Sequence, residues 1–230
     1  MNKKAILLFS SLLVAALATA STLGAITLKR TLKLGDKNNY KLDVQMNMQG
    51  QDISVTADIS EVVAEINNDG TYAIKSSTAN LIAHTANGDF PAGEDHDTTT
   101  TYDTKGNILK IDGGEMDDST YRTAAIMNFL WPDKPVDVGS TWTIEQEANK
   151  DKGVNAMTYK YSVEAREQKN GHDTFKIKFS NVEKEGGASS SGNVWIDVKS
   201  GVAVRTEGQL TGVPMGPTNV DASFTLDLTE

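Results

Sequence analysis

Apolar and polar residues alternate with a period of two along much of the chain, which is the pattern of β-strands that bury one face. Tyr40, Leu42, Val44, Met46 and Met48 alternate with polar residues, and the alternation resumes after the polar segment 49–52 and runs to position 59. These two segments predict a hairpin of long strands. The apolar positions then become even-numbered from position 62 onward, and this shift predicts a β-bulge near position 60.

The second half of the chain repeats this alternation. Apolar residues at 159, 161 and 163 precede the turn Asn170-Gly171, and Phe175, Ile177 and Phe179 follow it. Asn-Gly and Asp-Gly pairs favour tight hairpin turns because both residues tolerate positive φ. The last alternating segment runs from Val220 to Leu228. We therefore predict eleven or twelve strands joined mostly by short turns, and hence an antiparallel sheet.

One segment has the pattern of a helix. Asp118 or Ser119 is a suitable N-cap, and the helix is predicted to continue through Leu130, where Trp131-Pro132 ends it. Its apolar face would include Ile126 and Leu130. The predicted fold class is mostly β: a curved antiparallel sheet or half-barrel of about 11–12 strands, with one helix packed on or in it.

The first twenty residues have the three parts of a secretory signal. Lys3 and Lys4 precede an apolar run from Ala5 to Leu17, and the small residues Ala18-Thr19-Ala20 form a cleavage site. The apolar run is shorter than the roughly 20 residues that span a bilayer as a helix. We expect residues 1–20 to be a cleaved signal peptide, residues 21–230 to form a single β-rich domain without a transmembrane segment, and the protein to be periplasmic or secreted.

Composition narrows the function classes. The chain has no cysteine, which excludes a disulfide framework, a thiolate metal site and a cysteine nucleophile. The formal charge is −9, and loss of a signal that carries two lysines would make it −11. Nucleic-acid binding requires a basic surface, so we expect no nucleic-acid partner. We expect the mature protein to be a monomer.

Motifs for catalysis are absent from the sequence. It contains no Gly-x-Ser-x-Gly, no phosphate-binding loop and no His-Glu-x-x-His. His84, His96 and the carboxylates around His96 contain metal-ligand atoms, as does the acidic segment 112–118, but neither has the spacing of a known site. We therefore predict a protein that is not an enzyme and that uses neither a metal nor any other cofactor.

Two sequence elements resemble known families. The segment from Trp131 to Trp142 resembles an uncharacterised family of exported bacterial β-rich proteins, in which a helix leads into Pro-Val-x-Val-Gly-x-Thr-Trp. The segment from Trp195 to Arg205, a strand, an Asp, a Ser-Gly turn and a returning strand, is similar to part of the periplasmic lipoprotein carriers. The second resemblance implies a curved half-barrel around one or more helices, which encloses an apolar cavity for acyl chains.

These observations favour an exported binding protein that carries an apolar ligand such as a lipid or lipidated peptide. The candidate ligand-binding residues on the concave face are Leu42, Val44, Met46, Met48, Tyr159, Tyr161, Phe175 and Ile177. If the helix fills the concave side, the same residues are ordinary core. The alternative is a structural or protein-interaction module of the cell envelope without a small-molecule ligand, which would dock an envelope protein through sheet edges or acidic loops.

Overall fold

The computed structural model describes residues 24–48, 50–113, 118–215 and 218–229, so the predicted signal peptide lies outside the described residues. The described elements are twelve strands, one α-helix and a short 3-10 helix (Lys150–Lys152). Their bounds are β1 (Lys37–Met48), β2 (Gln51–Ile66), β3 (Tyr72–Thr85), β4 (Gly88–Pro91), β5 (His96–Tyr102), β6 (Ile108–Asp112), α1 (Asp118–Met127), β7 (Thr141–Gln146), β8 (Met157–Lys169), β9 (His172–Glu183), β10 (Ser189–Asp197), β11 (Ala203–Met215) and β12 (Thr218–Thr229).

All twelve strands belong to one antiparallel sheet, which is curved and open. The order is β6-β5-β3-β2-β1-β12-β11-β10-β9-β8-β7, with β4 paired to β3 beside this path. Each half of the chain is a meander, and the pairing of β1 with β12 joins the two halves at the centre. The structure confirms the predicted class: mostly β, antiparallel and curved, with a single α-helix among the described residues.

The register places the alternating apolar residues on one face. Leu42 of β1 pairs with Leu226 of β12 on one side and with Ala57 of β2 on the other. In the second half, Tyr161 of β8 pairs with Phe179 of β9. These residues lie on the concave face, because most of their same-face neighbours form one buried cluster together with the helix residue Ile126.

Two glycines opposite one another help to bend the sheet. Gly192 of β10 pairs with Gly208 of β11. A Cβ atom on Gly192 would lie 2.0 Å from the carbonyl oxygen of Glu207, and one on Gly208 would lie 2.5 Å from the carbonyl oxygen of Ser191. The two strands therefore approach too closely for side chains here. Glycine in a strand interior commonly marks such a bend.

The predicted bulge and helix end both differ from the structure in detail. The β2–β3 ladder is irregular at two places, one before and one after Ser60, and these irregularities bury Val63 while Ala64 and Ile66 are exposed.

Helix α1 ends at Met127, not at Leu130. The chain leaves the helix early because sheet side chains bind the backbone of residues 125–130, as described below. The side chain of the proposed N-cap Asp118 lies outside the described part of the chain.

Helix α1 is held against the concave side of β9–β11 by an ion pair and by packing. Arg122 donates to both carboxylate oxygens of Glu183, at 2.6 and 2.7 Å. The Glu183 side chain is fully buried and also accepts the backbone N–H of Ala188. Because a buried carboxylate needs a partner charge, this pair fixes the position of the helix on the sheet.

We expect the substitution Arg122→Ala to lower the free energy of unfolding by about 3 kcal/mol, because it leaves the Glu183 carboxylate buried without its cation. Lys110→Ala is the matched control, since it removes the exposed pair with Asp112 and should cost less than about 1 kcal/mol. Urea denaturation at neutral pH measures both. Equal losses in the two variants would show that the Arg122 pair does not anchor the helix.

Candidate functional site

A cavity of about 300 Å³ lies between the concave face and the segment that follows the helix. Strand residues from both halves of the sheet and residues of segment 127–131 form its wall. The apolar part of this wall includes Leu42, Ile59, Ile74, Phe179, Val194, Ile196, Phe224 and Leu226. The cavity exists because α1 packs on β9, β10 and β11 and is only ten residues long, so it does not fill the space over β1–β3.

An aromatic cluster holds the segment that closes one side of the cavity. Phe129 packs against Trp131, Trp142 and Tyr161, with ring-centroid distances of 5.0, 6.1 and 4.8 Å. The rings of Trp142 and Tyr161 stack at 4.8 Å, and the Trp142 indole N–H donates to the carbonyl of Leu130. Edge-to-face and offset aromatic pairs each contribute about 1 kcal/mol beyond burial. Segment 128–131 is thereby fixed without regular secondary structure.

The C-terminal end of the helix is capped by polar side chains of the sheet. A helix leaves its last carbonyls without partners inside the helix. The Tyr159 hydroxyl lies 3.1 Å from the carbonyl of Ala125 and 2.9 Å from Gln146 Oε1, so its one hydrogen is shared between these two acceptors. The Ser190 hydroxyl donates to the carbonyl of Ile126 at 2.6 Å. The Asn181 Nδ2 group donates to the carbonyl of Ile126 as well, at 2.9 Å. These bonds pair the buried carbonyl of Ile126, and they add a donor to the carbonyl of Ala125, which also accepts the Asn128 N–H at 3.3 Å.

Among the described side chains that line the cavity, Asn181 is the one with a buried polar atom that has no hydrogen-bond partner. Its Nδ2 group also reaches the carbonyl of Asn128 at 3.1 Å, but its Oδ1 atom is buried and has no hydrogen-bond partner. The residue is 1% exposed and lies directly across the β9–β10 ladder from Ser190. Buried polar atoms in proteins are nearly always paired, so this acceptor requires an explanation.

An ion pair contributes to the opposite part of the wall. Arg30 and Glu61 are 3.2 Å apart and both side chains are mostly buried. Burial acts to lower the pKa of Arg30, but the charge of Glu61 raises it above its ordinary value. The segment that carries Arg30 is held by the buried Leu28 and by its close contact with the turn at Gly201, where a Cβ would lie 2.3 Å from the Lys29 carbonyl. Arg30 thus has a fixed position and a paired charge.

Several tyrosines around the core are held in the neutral form. Burial raises the pKa values of Tyr40, Tyr102, Tyr159 and Tyr161 well above the ordinary range. For Tyr161 the hydrogen bond from the Leu130 N–H acts in the opposite direction but is the smaller effect. The neutral hydroxyls of Tyr159 and Tyr161 serve as hydrogen-bond partners for the backbone at the helix end.

The structure distributes the eight sequence-predicted residues over three environments. Leu42 and Tyr161 line the cavity. Tyr159, Phe175 and Ile177 are fully buried, and Val44 and Met46 pack in the same cluster. Met48 lies at the end of β1 and is 41% exposed.

Sequence reasoning did not identify the polar residues of the cavity wall, which include Arg30, Glu61, Asn181 and Ser190. The sequence does contain a signal for Asn181. Asn181 continues the alternating series Phe175, Ile177, Phe179, so a polar residue stands where the pattern requires an apolar one. A polar residue on the buried face of a strand indicates a specific hydrogen-bonding task.

The histidines of the candidate metal-ligand segment form hydrogen bonds with nearby side chains and backbone. His84 is bonded to Thr56 and to Asp89, while His96 is bonded to the carbonyl of Glu94. Over the ranges that the structure describes, no group of three or more histidine and acidic side chains is arranged to hold a metal ion. In those same ranges no helix has the length and apolar character to cross a membrane.

We expect Tyr161→Phe to lower the free energy of unfolding by about 1–3 kcal/mol, because the buried Leu130 N–H loses its acceptor. Native-state hydrogen exchange tests the cause directly. The Leu130 amide should exchange faster in the variant, while the Val163 amide, which bonds to the Ser140 carbonyl, serves as an internal reference. Unchanged protection at Leu130 would contradict the assigned bond.

The buried tyrosines predict the response of the protein to alkali. An unfolded chain releases tyrosine protons near pH 10, whereas the folded chain retains them because its pKa values are raised. Stability from these groups is therefore complete below about pH 10 and is lost as the pH rises above it. Tyrosinate absorbance from these residues should appear together with the loss of circular dichroism. Their ionisation in a protein that remains folded would contradict this assignment.

No protein-family model matches this chain, and no curated protein matches it either. The site consists of a largely apolar cavity with a capped helix end, an ion pair in its wall and one buried acceptor without a partner.

Proposed function

We propose that this chain is an exported, non-enzymatic binding protein that holds an apolar ligand, of the class of lipids or lipidated peptides, in the cavity beneath the curved sheet. The observation that carries the proposal is the cavity of about 300 Å³ with a largely apolar wall. Small-molecule sites in proteins are typically concave and apolar, with a few polar groups that orient the ligand, and begin at about this volume. Export rests on the sequence pattern of residues 1–20.

The composition of the wall supports binding in preference to chemistry. Its charged residues, Arg30 and Glu61, neutralise one another, and its tyrosines are held neutral by burial. A general acid or base needs a pKa near the working pH and access to the substrate. Tyrosines with raised pKa values and a paired guanidinium do not provide this. The wall is therefore better suited to holding an apolar molecule than to transforming it.

The alternative, an interaction module that docks an envelope protein through a sheet edge, receives less support. The edge strands β4, β6 and β7 are only four, five and six residues long. β6 carries the paired charges Lys110 and Asp112, and β7 carries Glu145, which is bonded to Lys184. Short edge strands with charged side chains are the features by which proteins prevent strand addition. The cavity remains the stronger indication.

Native mass spectrometry of the protein purified from its own host, followed by organic extraction, tests the proposal. We expect a bound apolar molecule in the unmodified protein and much less of it in Ala203→Phe. Ala203 lines the cavity, and a phenyl ring would occupy about half of it, since 150 Å³ is enough for benzene.

Ala165→Phe is the matched control for this substitution. Ala165 has a similar exposure but pairs with Lys176 on β9, outside the cavity. It should therefore retain the bound molecule. Absence of any apolar molecule from the unmodified protein, or equal loss from both variants, would contradict the proposal.

A further inference from the structure

We infer, on the basis of the proposed function, that the ligand is an anionic amphiphile whose alkyl chain lies in the cavity and whose carboxylate or phosphate headgroup lies in an adjoining pocket beside Lys29 and Arg30. Two observations carry this inference. The two spaces share part of one wall, and the charged residues in the described wall of the adjoining pocket are all basic.

The adjoining pocket lies at the end of the sheet that carries the β2–β3 and β5–β6 turns, and we call it the end pocket. Its volume is about 400 Å³, and its wall includes residues 29–32 of the segment that precedes β1, together with Gly70 and Thr104. Gly70 belongs to the β2–β3 turn and Thr104 to the β5–β6 turn. The segment and the two turns thus form a recess beside the cavity.

Three side chains separate the end pocket from the cavity, because Arg30, Tyr72 and Trp131 line both spaces. Tyr72 is buried and stacks on Tyr102 with a ring-centroid distance of 5.3 Å, and Trp131 is buried and packs against Phe129. Arg30 is the flexible member of this partition. A molecule that occupies both spaces therefore has to displace one long side chain and leaves the aromatic rings in place.

The backbone of the segment that carries the basic residues is fixed on the sheet. The Thr31 N–H donates to the carbonyl of Ser200 at 2.8 Å, and the Gly35 N–H donates to that of Val63 at 2.9 Å. The segment is thereby attached to both halves of the sheet. Because the end pocket is formed in advance, a ligand does not have to order this segment on binding.

Charge at the end pocket favours an anion. Lys29 and Arg30 are the charged residues of its described wall. Lys29 is exposed and, unlike Arg30, has no partner among the ion pairs of the described residues. Residues 24–36 contain three basic residues and one acidic residue, in a chain whose formal charge is −9. The basic groups of an acidic protein are thus concentrated beside an apolar cavity.

Arg30 retains donors for a headgroup although it is paired. One of its terminal nitrogens is bonded to one oxygen of Glu61 at 3.2 Å. A guanidinium has five N–H donors in a fixed fork, which suits the oxygens of a carboxylate or phosphate. Arg30 can therefore keep Glu61 on one side and accept an anionic oxygen at its other N–H groups.

The carboxylates next to the end pocket are committed to their own turns. Asp69 accepts the backbone N–H of Thr71 at 2.9 Å and the hydroxyl of the same residue at 2.7 Å. Asp103 accepts the backbone N–H groups of Lys105 and Asn107 and the side-chain amide of Asn107. Since local donors satisfy both carboxylates, they do not pair with Lys29.

Titration calorimetry at neutral pH with three probes of equal chain length tests the inference: decanoate, 1-decanol and decyltrimethylammonium. An apolar site without cations would favour decanol, because moving a carboxylate out of water is costly. We expect decanoate to bind about fivefold more tightly than decanol, as a hydrogen bond to a charged group provides, and the cationic probe to bind least. Acetate and inorganic phosphate, which have no chain, should bind far more weakly than decanoate.

Two lysine substitutions locate the headgroup. Lys29→Gln should weaken the binding of decanoate about threefold and leave that of decanol unchanged, as expected for one partly exposed ion pair. Lys41→Gln is the matched control, since Lys41 is also exposed and lines neither space. It makes the same change in net charge and should alter neither affinity.

The substitution Ala203→Phe locates the chain. Ala203 lines the cavity and not the end pocket, so the variant should weaken decanoate and decanol alike. Unchanged binding of decanoate in this variant would show that it binds at the surface alone, and would overturn the inference.

The remaining outcomes separate the inference from the proposed function. Tighter binding of decanol or of the cationic probe than of decanoate would overturn the anionic headgroup while leaving an apolar binding protein. Equal effects of Lys29→Gln and Lys41→Gln would overturn its assigned place. Acetate or phosphate binding as tightly as decanoate would indicate a site for free anions and overturn the amphiphile. Failure of all three decyl probes to bind would overturn the proposed function itself.

Discussion

The arrangement of this protein depends on the capture of a helix end by side chains of the sheet. Near the end of helix α1, Ala125 and Ile126 are buried against the sheet, and their carbonyls would strongly destabilise the fold if left unpaired. Tyr159, Asn181 and Ser190 supply the donors from β8, β9 and β10. The position of the helix, the course of segment 128–131 and the wall of the cavity all follow from these bonds.

The same constraint explains why the cavity lies where it does. A longer helix, or one displaced toward β1–β3, would fill the concave side and leave only core. The helix cannot move there because its N-terminal part is fixed by the Arg122–Glu183 pair and its C-terminal part by the three capping residues. The unfilled volume is thus a consequence of where the polar groups lie, more than of any missing apolar side chain.

The strands and the general architecture could be predicted from the sequence because alternation is a local signal. The pairs Leu42–Leu226 and Tyr161–Phe179 lie on one face as the period of two requires. The helix end could not be predicted, because it depends on donors that are more than fifty residues away in the sequence, Asn181 and Ser190. The polar residues of the cavity wall were not recognised for the same reason. Asn181 and Ser190 bind backbone carbonyls of another element, and Arg30 pairs with Glu61, 31 residues away in the sequence.

The pairing of β1 with β12 has a consequence for how the chain folds. Each half-sheet is a meander of neighbouring hairpins and can form through local contacts, but the central ladder joins residues such as Tyr40 and Leu228 from near opposite ends of the chain. Contacts of such long separation form slowly, because the entropy of closing the loop must be overcome first. Until β12 has emerged and docked, both half-sheets present an unpaired edge at what becomes the middle of the molecule. A chaperone or rapid completion of the chain would protect these edges during that interval.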